Sequence, residues 1–120
     1  VCDKKNAYVC ERAKNHNIDS FIFSAKKYDS KEAYEAEIVN KLNEYNIDLV
    51  CLAGYMKLCG SVLLNSYEGK IINIHPALLP SFKGAHGILD AYNYGVKVFG
   101  VTVPYWTDSL KKCISNLKNR

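Results

Sequence analysis

Along the chain, apolar residues recur in two rhythms, and the switches between them divide it into elements. After a polar start, residues 7–16 read as a short helix carrying Tyr8, Glu11, Arg12 and Lys14. Residues 19–24 (D-S-F-I-F-S) read as a strand, because β-branched and aromatic residues suit a pleated surface. Asp29, with Glu32 three residues later, has the form of an N-cap in a capping box. From there Tyr34, Ile38, Leu42 and Tyr45 are spaced by four, four and three, one apolar stripe on a helix. Residues 48–53 (D-L-V-C-L-A) form a continuous apolar run, the pattern of a strand buried on both faces, and Gly54 ends it. Ser61 is placed to cap a short helix through Tyr67, with Gly69 as its stop. Residues 70–74 (K-I-I-N-I) are the next strand, residues 87–94 a helix stopped at Gly95, and residues 97–103 (K-V-F-G-V-T-V) a β-rich run. At the end Leu110, Cys113, Ile114 and Leu117 recur at helical spacing behind Ser109, giving a small amphipathic helix with a basic outer face. Strand alternating with helix predicts βαβ units and a mainly parallel sheet with right-handed crossovers.

At 120 residues and 48% hydrophobic, the chain fits one globular domain with one core. No apolar run approaches the ~20 residues that cross a bilayer, and the first residues lack the apolar core of a signal peptide. The expectation is therefore a cytoplasmic protein without a membrane partner. The five cysteines are odd in number and include no C-x-x-C pair, which fits reduced thiols better than a disulfide framework. Cys51, inside an apolar run, reads as a buried thiol. The net charge of +4 arises entirely from Lys111, Lys112, Lys118 and Arg120, so the body carries no basic face for nucleic acid. His16, His75 and His86 have no metal-ligand spacing with the cysteines, and no G-x-G-x-x-G or P-loop motif occurs.

The chemistry concentrates in residues 71–84, I-I-N-I-H-P-A-L-L-P-S-F-K-G. Asn73 and His75 close a buried apolar run two residues apart, on one face of a strand. Pro76 and Pro80 then forbid regular pairing and impose a fixed loop. A carboxamide that donates to a developing oxyanion, beside an imidazole that moves a proton, suits chemistry on a carbonyl. In open α/β sheets such groups sit where ligands bind, at strand carboxyl ends. The bland alternative is a turn with satisfied polar caps.

The stretch N-I-H-P-A-L-L-P-S-F-K-G resembles the signature of the folate-dependent formyltransferases. The likeness extends upstream through D-S-K-E-A-Y at 29–34 and L-A-G-Y-M-K at 52–57, and downstream through His86 and G-V-T-V at 100–103. It covers roughly residues 4–110 and is greatest for the branch acting on glycinamide ribonucleotide in purine synthesis. The resemblance implies a three-layer α/β fold of Rossmann-like type, one partial domain over 1–120 with a divergent basic tail at 111–120. It implies formyl transfer from 10-formyltetrahydrofolate to the amine of glycinamide ribonucleotide, without a metal. Asn73 would contact the formyl oxygen and His75 would be the general acid. Met56, Lys57, Leu58 and Cys59 would line the folate pocket, joined by Asn73 and Lys31, and His86 would face the ribonucleotide. For Lys31 the bland reading is a solvated charge, and for His86 a structural group at a helix start.

Three departures from the family pattern bear on activity. The chain begins at what would be the second strand, beyond the family's first strand and phosphate-binding loop, and the C-terminal part is likewise expected to be lacking. An exposed sheet edge would then invite self-association. Pro104 stands where the family has a histidine, and Lys111 where it has an aspartate. These departures imply impaired transfer, or a non-catalytic remnant. Formyltetrahydrofolate deformylase and methionyl-tRNA formyltransferase are the other enzymatic readings. Lys83 and the pair His75-Pro76 speak against them, since the tRNA enzymes usually carry arginine at the first position and the deformylases a His-His pair at the second.

Overall fold

The computed structural model describes residues 1–55, 57, 59–84 and 86–106. They fall into two compact units, Val1–Asn46 with Gly60–Leu63, and Ile47–Cys59 with the residues from Leu64 onward. The helix expected around 109–117 lies outside the described residues.

The first unit holds α1 (Tyr8–Asn15), a 3-10 turn at Ala25–Lys27 and α2 (Lys31–Glu44). Its core gathers Phe23, Tyr34 and Ile38, with Phe21, Tyr28 and Leu42 packed against them. The stripe expected on α2 thus faces inward from Tyr34 to Leu42. Tyr45 ends as the C-cap, where its hydroxyl donates to Asp19 at 2.8 Å and its ring meets Phe21 edge-on.

Two expectations for this unit are corrected. The N-cap of α2 is Ser30, not Asp29. Ser30 is extended (φ −144°, ψ 163°), and its Oγ accepts from the Ala33 N–H at 3.0 Å. Glu32 then stands second in the helix, not third, so the capping box cannot close. Residues 19–24 do not form a strand. They are extended, with Phe23 buried and Ile22 exposed, but Cys2 alone bridges them, through two backbone bonds of 2.8 and 2.9 Å. A single partner leaves the ladder too short to assign.

Glu35 is 1% exposed, although it lies outside the apolar stripe. Its carboxylate accepts from the N–H of Gly60 and, at 3.3 Å, from the N–H of Leu63. The Lys31 ammonium lies 3.9 Å away, one turn back. Charge-assisted bonds of this kind are what make a buried carboxylate tolerable. They also fix residue 60 as glycine, since a Cβ there would lie 2.5 Å from Glu35 Oε2.

In the second unit β1 (Val50–Leu52) and β2 (Ile71–Asn73) are adjacent and parallel, in the register Val50 to Ile71, Cys51 to Ile72 and Leu52 to Asn73. This is the expected α/β arrangement, and along the chain α3 (Ser61–Ser66) comes between the two strands and α4 (Gly87–Tyr94) after them. Ser61 opens α3 as a helical residue. Gly69 and Gly95 take the left-handed φ values of 67° and 79° that favour glycine behind a helix. β1 is shorter than its apolar run and is not buried on both faces. Leu52 is buried, Val50 half-buried and Cys51 exposed, so the reading of Cys51 as a buried thiol is corrected.

Residues 97–103 do not form a strand either. The backbone of 102–106 does run antiparallel beside β2, through bridges from Thr102 to His75 and from Tyr105 to Ile72. Pro104 explains the interruption. Its carbonyl accepts from the Asn73 N–H at 3.0 Å, but it has no N–H to return the bond.

Candidate functional site

β2 ends at Asn73, at the carboxyl edge of the parallel pair, with the amide-bearing residue half-buried. Beyond Ile74 the chain is held again at His75, which exchanges two backbone hydrogen bonds of 2.9 Å with Thr102. The His75 side chain is 6% exposed. Its Nε2 lies 3.0 Å from the carbonyl oxygen of Phe82. A carbonyl only accepts, so Nε2 carries the proton and donates. Phe82 presents that carbonyl from a left-handed backbone (φ 51°), rare for a residue with a Cβ. Its ring packs edge-on against Tyr94 of α4, with centroids 5.8 Å apart.

The loop between His75 and Phe82 is fastened by one hydroxyl. Thr102 Oγ1 donates to the Ala77 carbonyl at 2.7 Å and accepts from the Leu79 N–H at 3.0 Å. Gly100 lets Leu78 lie close by, for a Cβ on residue 100 would fall 2.6 Å from Leu78 Cδ2. The first turn of α4 closes on the same loop at Gly87, where a Cβ would meet the Phe82 and Pro76 carbonyls and the Ala77 methyl at 3.1–3.3 Å. Neither Thr102 nor Phe82 stood out in the sequence. The only signal for Thr102 was a hydroxyl in an otherwise apolar β-rich run.

His86 stands before α4 and is exposed, and its side chain makes no capping bond. It lines an open, largely apolar pocket with Pro76, Gly87, Ile88, Leu89 and Tyr92. The held stretch from His75 to Phe82 lies against the start of α4 at Gly87, and the pocket is lined by Pro76 and by His86 and α4 residues. Lys57 is half-buried and engaged, and Cys59 is fully buried. Met56 and Leu58 lie outside the described residues. Lys31 belongs to the first unit, where its ammonium is near Glu35. Among the described residues no three His, Cys, Asp or Glu side chains are grouped to hold a metal ion, and no helix is long and apolar enough to cross a membrane.

Comparison with known proteins places the chain in a family. The family described as formyl transferase matches residues 1–112. A phosphoribosylglycinamide formyltransferase of Bacillus subtilis (strain 168) is 50% identical over 105 residues, 88% of this chain and 54% of that protein. Glycinamide ribonucleotide transformylase 1 of Geobacillus kaustophilus superposes with a TM-score of 0.83 at 53% identity, over 87% of this chain and 55% of that one. The phosphoribosylglycinamide formyltransferase of Streptococcus pneumoniae TIGR4 gives 0.84 at 55% identity, over 88% and 58%. The chain thus spans about half the length of the relatives it matches. With this match over nearly its whole length and the same α/β arrangement, the chain belongs to the formyl transferase family.

Proposed function

We propose that this chain carries the formyl-transfer half of a site that moves a formyl group from 10-formyltetrahydrofolate to the amine of glycinamide ribonucleotide, in cytoplasmic purine synthesis. Its two units are read as parts of one formyl transferase domain. The observation that carries the reading is the placement of Asn73 and His75 at the carboxyl end of β2, with the imidazole buried and its Nε2–H held. The names of the relatives support the same substrates.

In this reading the amine attacks the formyl carbon, and the carbonyl oxygen gains negative charge. Asn73 donates to that oxygen. A donor fixed in place before reaction needs no reorganisation as charge develops. His75 takes the proton that the amine must lose and returns it to the departing folate nitrogen. The segment that carries Met56, Lys57, Leu58 and Cys59 is read as the folate-binding stretch, with backbone groups taking the pterin ring. His86 serves the ribonucleotide from the pocket beside Pro76.

Transfer by the 120-residue chain alone is expected to be impaired, because it spans about half of its relatives. Calorimetric titration tests this. A folate analogue should bind one to one, and Asn73→Ala should weaken it by less than it slows transfer. The ribonucleotide should bind the chain alone weakly. Failure of the folate analogue to bind would overturn the assignment. Preferential binding of methionyl-tRNA would move the chain to another branch of the family.

A further inference from the structure

We propose that Glu35 is a positioning residue for the folate-binding stretch at 56–59, which it anchors through the amide that follows Cys59. The inference rests on the folate reading of that stretch and adds to it a side chain that the proposed reaction does not use.

Glu35 is a charged residue that the apolar stripe of α2 does not call for, yet it is less exposed than Tyr34 or Ile38 beside it. A carboxylate taken out of water is costly unless hydrogen bonds replace its hydration. Both of its oxygens go to one place. Oε1 accepts from the Gly60 N–H, and Oε2 accepts from the Leu63 N–H at 3.3 Å. Lys31 contributes less, for its ammonium lies 3.9 Å from Oε1 on a side chain that is 46% exposed.

The two amides stand at the start of α3, where N–H groups have no partner within the helix. The usual acceptor is the side chain of the residue just before the helix. Gly60 has none, so the acceptor reaches in from α2, 25 and 28 residues away along the chain. A local cap would hold only its own turn. A carboxylate from another helix fixes where that turn lies within the first unit. The contact leaves no room for a side chain at residue 60, where a Cβ would fall 2.5 Å from Oε2 and 2.8 Å from Oε1.

Gly60 shares a peptide bond with Cys59. That bond is planar and trans, so the Cys59 carbonyl points opposite to the Gly60 N–H. Holding the N–H therefore sets the direction of the last carbonyl in the folate-binding stretch. A backbone group that recognises a flat heterocycle is useful only in a fixed direction, and preorganisation of this kind lowers the cost of binding.

Calorimetric titration of the 120-residue chain with a non-reactive 10-formyl folate analogue tests the proposal, with urea titration of each variant alongside. Glu35→Gln keeps the side-chain length but sets an amide NH2 against one of the two N–H donors. It should weaken the analogue about tenfold in fully folded samples. Gly60→Ala drives a methyl group into the same carboxylate and should weaken binding by a similar factor. Glu35→Ala makes room for that methyl, so the double variant with Gly60→Ala should bind no worse than the weaker of the two single variants. Phe23→Leu lowers stability away from the anchored amide and should leave the affinity of the folded chain unchanged. Exchange at the Gly60 amide reads the anchor without ligand and should quicken about tenfold in Glu35→Gln, with the amides of α1 unchanged. Where Glu35→Gln does not fold, Glu35→Asp, one methylene short, serves in its place. Parent-like affinity in folded Glu35→Gln and Gly60→Ala overturns the proposal, and so does unchanged exchange at Gly60. An equal loss of affinity in Phe23→Leu overturns it as well, by reducing Glu35 to a structural role. A parent chain that binds no analogue overturns the folate reading itself, and the positioning role falls with it.

Discussion

At the scale of single residues, the proposed site consists of one donor, one imidazole and the groups that hold the imidazole and its loop. In a protein of its relatives' length that carries the proposed site, His75→Ala should lower turnover by about 10²-fold or more, the usual scale for losing general acid–base help. Asn73→Ala should cost roughly 2.7–4 kcal/mol of transition-state stabilisation. Steady-state rates with both substrates check these values, and folate affinity should move much less than turnover in the His75 variant. Turnover within about twofold of the parent would remove His75 from the mechanism. Thr102→Val makes a different prediction. It keeps the shape but leaves the Leu79 N–H and the Ala77 carbonyl without their partner, so the unit should lose about 1–3 kcal/mol in denaturant titration. The pair Asn73 and His75 could be read from sequence because polar residues interrupted an apolar run. Phe82 and Thr102 could not, since their roles depend on a carbonyl direction and a hydroxyl reach that only the folded loop sets.

At the scale of elements, the helices were legible and the strands less so. A helix is specified by its own periodicity and caps, and α4 occupies the expected residues, with Gly95 behind it. A strand needs a partner. Residues 19–24 and 97–103 have strand composition, but one meets only Cys2 and the other meets a ladder broken by Pro104. The cap of α2 was misread by one residue because Asp29 and Ser30 are both good caps, and sequence does not say which will be extended. Ser30→Ala should therefore destabilise α2 by about 1 kcal/mol, and Asp29→Ala by much less, in thermal melts of the two variants. Behind α3, burial and, after it, the Asp48 carboxylate push the Tyr67 phenol above its ordinary value. The folded state then holds this proton more tightly than the unfolded chain. Its contribution is fully present below the unfolded pKa, near 10, and is lost as pH rises through the folded one. Tyr67→Phe should flatten this alkaline loss in urea titrations across that range.

At the scale of the whole chain, the prediction is that these 120 residues alone transfer formyl groups poorly. Positioning two substrates can contribute several kcal/mol to a reaction, more than the protonation state of one imidazole. Restoring Pro104→His and Lys111→Asp together should therefore fail to bring turnover to the ~10 s⁻¹ typical of enzymes. Adding the sequence that the longer relatives carry should succeed. The family was legible because its signature is a contiguous stretch around the site. The division into two compact units was not, because compactness depends on contacts between residues far apart in the chain.

The hydrogen bond from His75 to Phe82 sets an order of events for the proposed reaction. With its Nε2–H tied to a carbonyl, the ring has Nδ1 left to exchange protons with the substrates in that reading. Buried at 6% exposure, it is more readily loaded by the attacking amine than by bulk water. Attack would then precede departure by construction, and the proton the folate nitrogen receives would be the one the amine gave up. If that relay limits the rate, turnover should slow in heavy water, and this solvent isotope effect should disappear in His75→Ala.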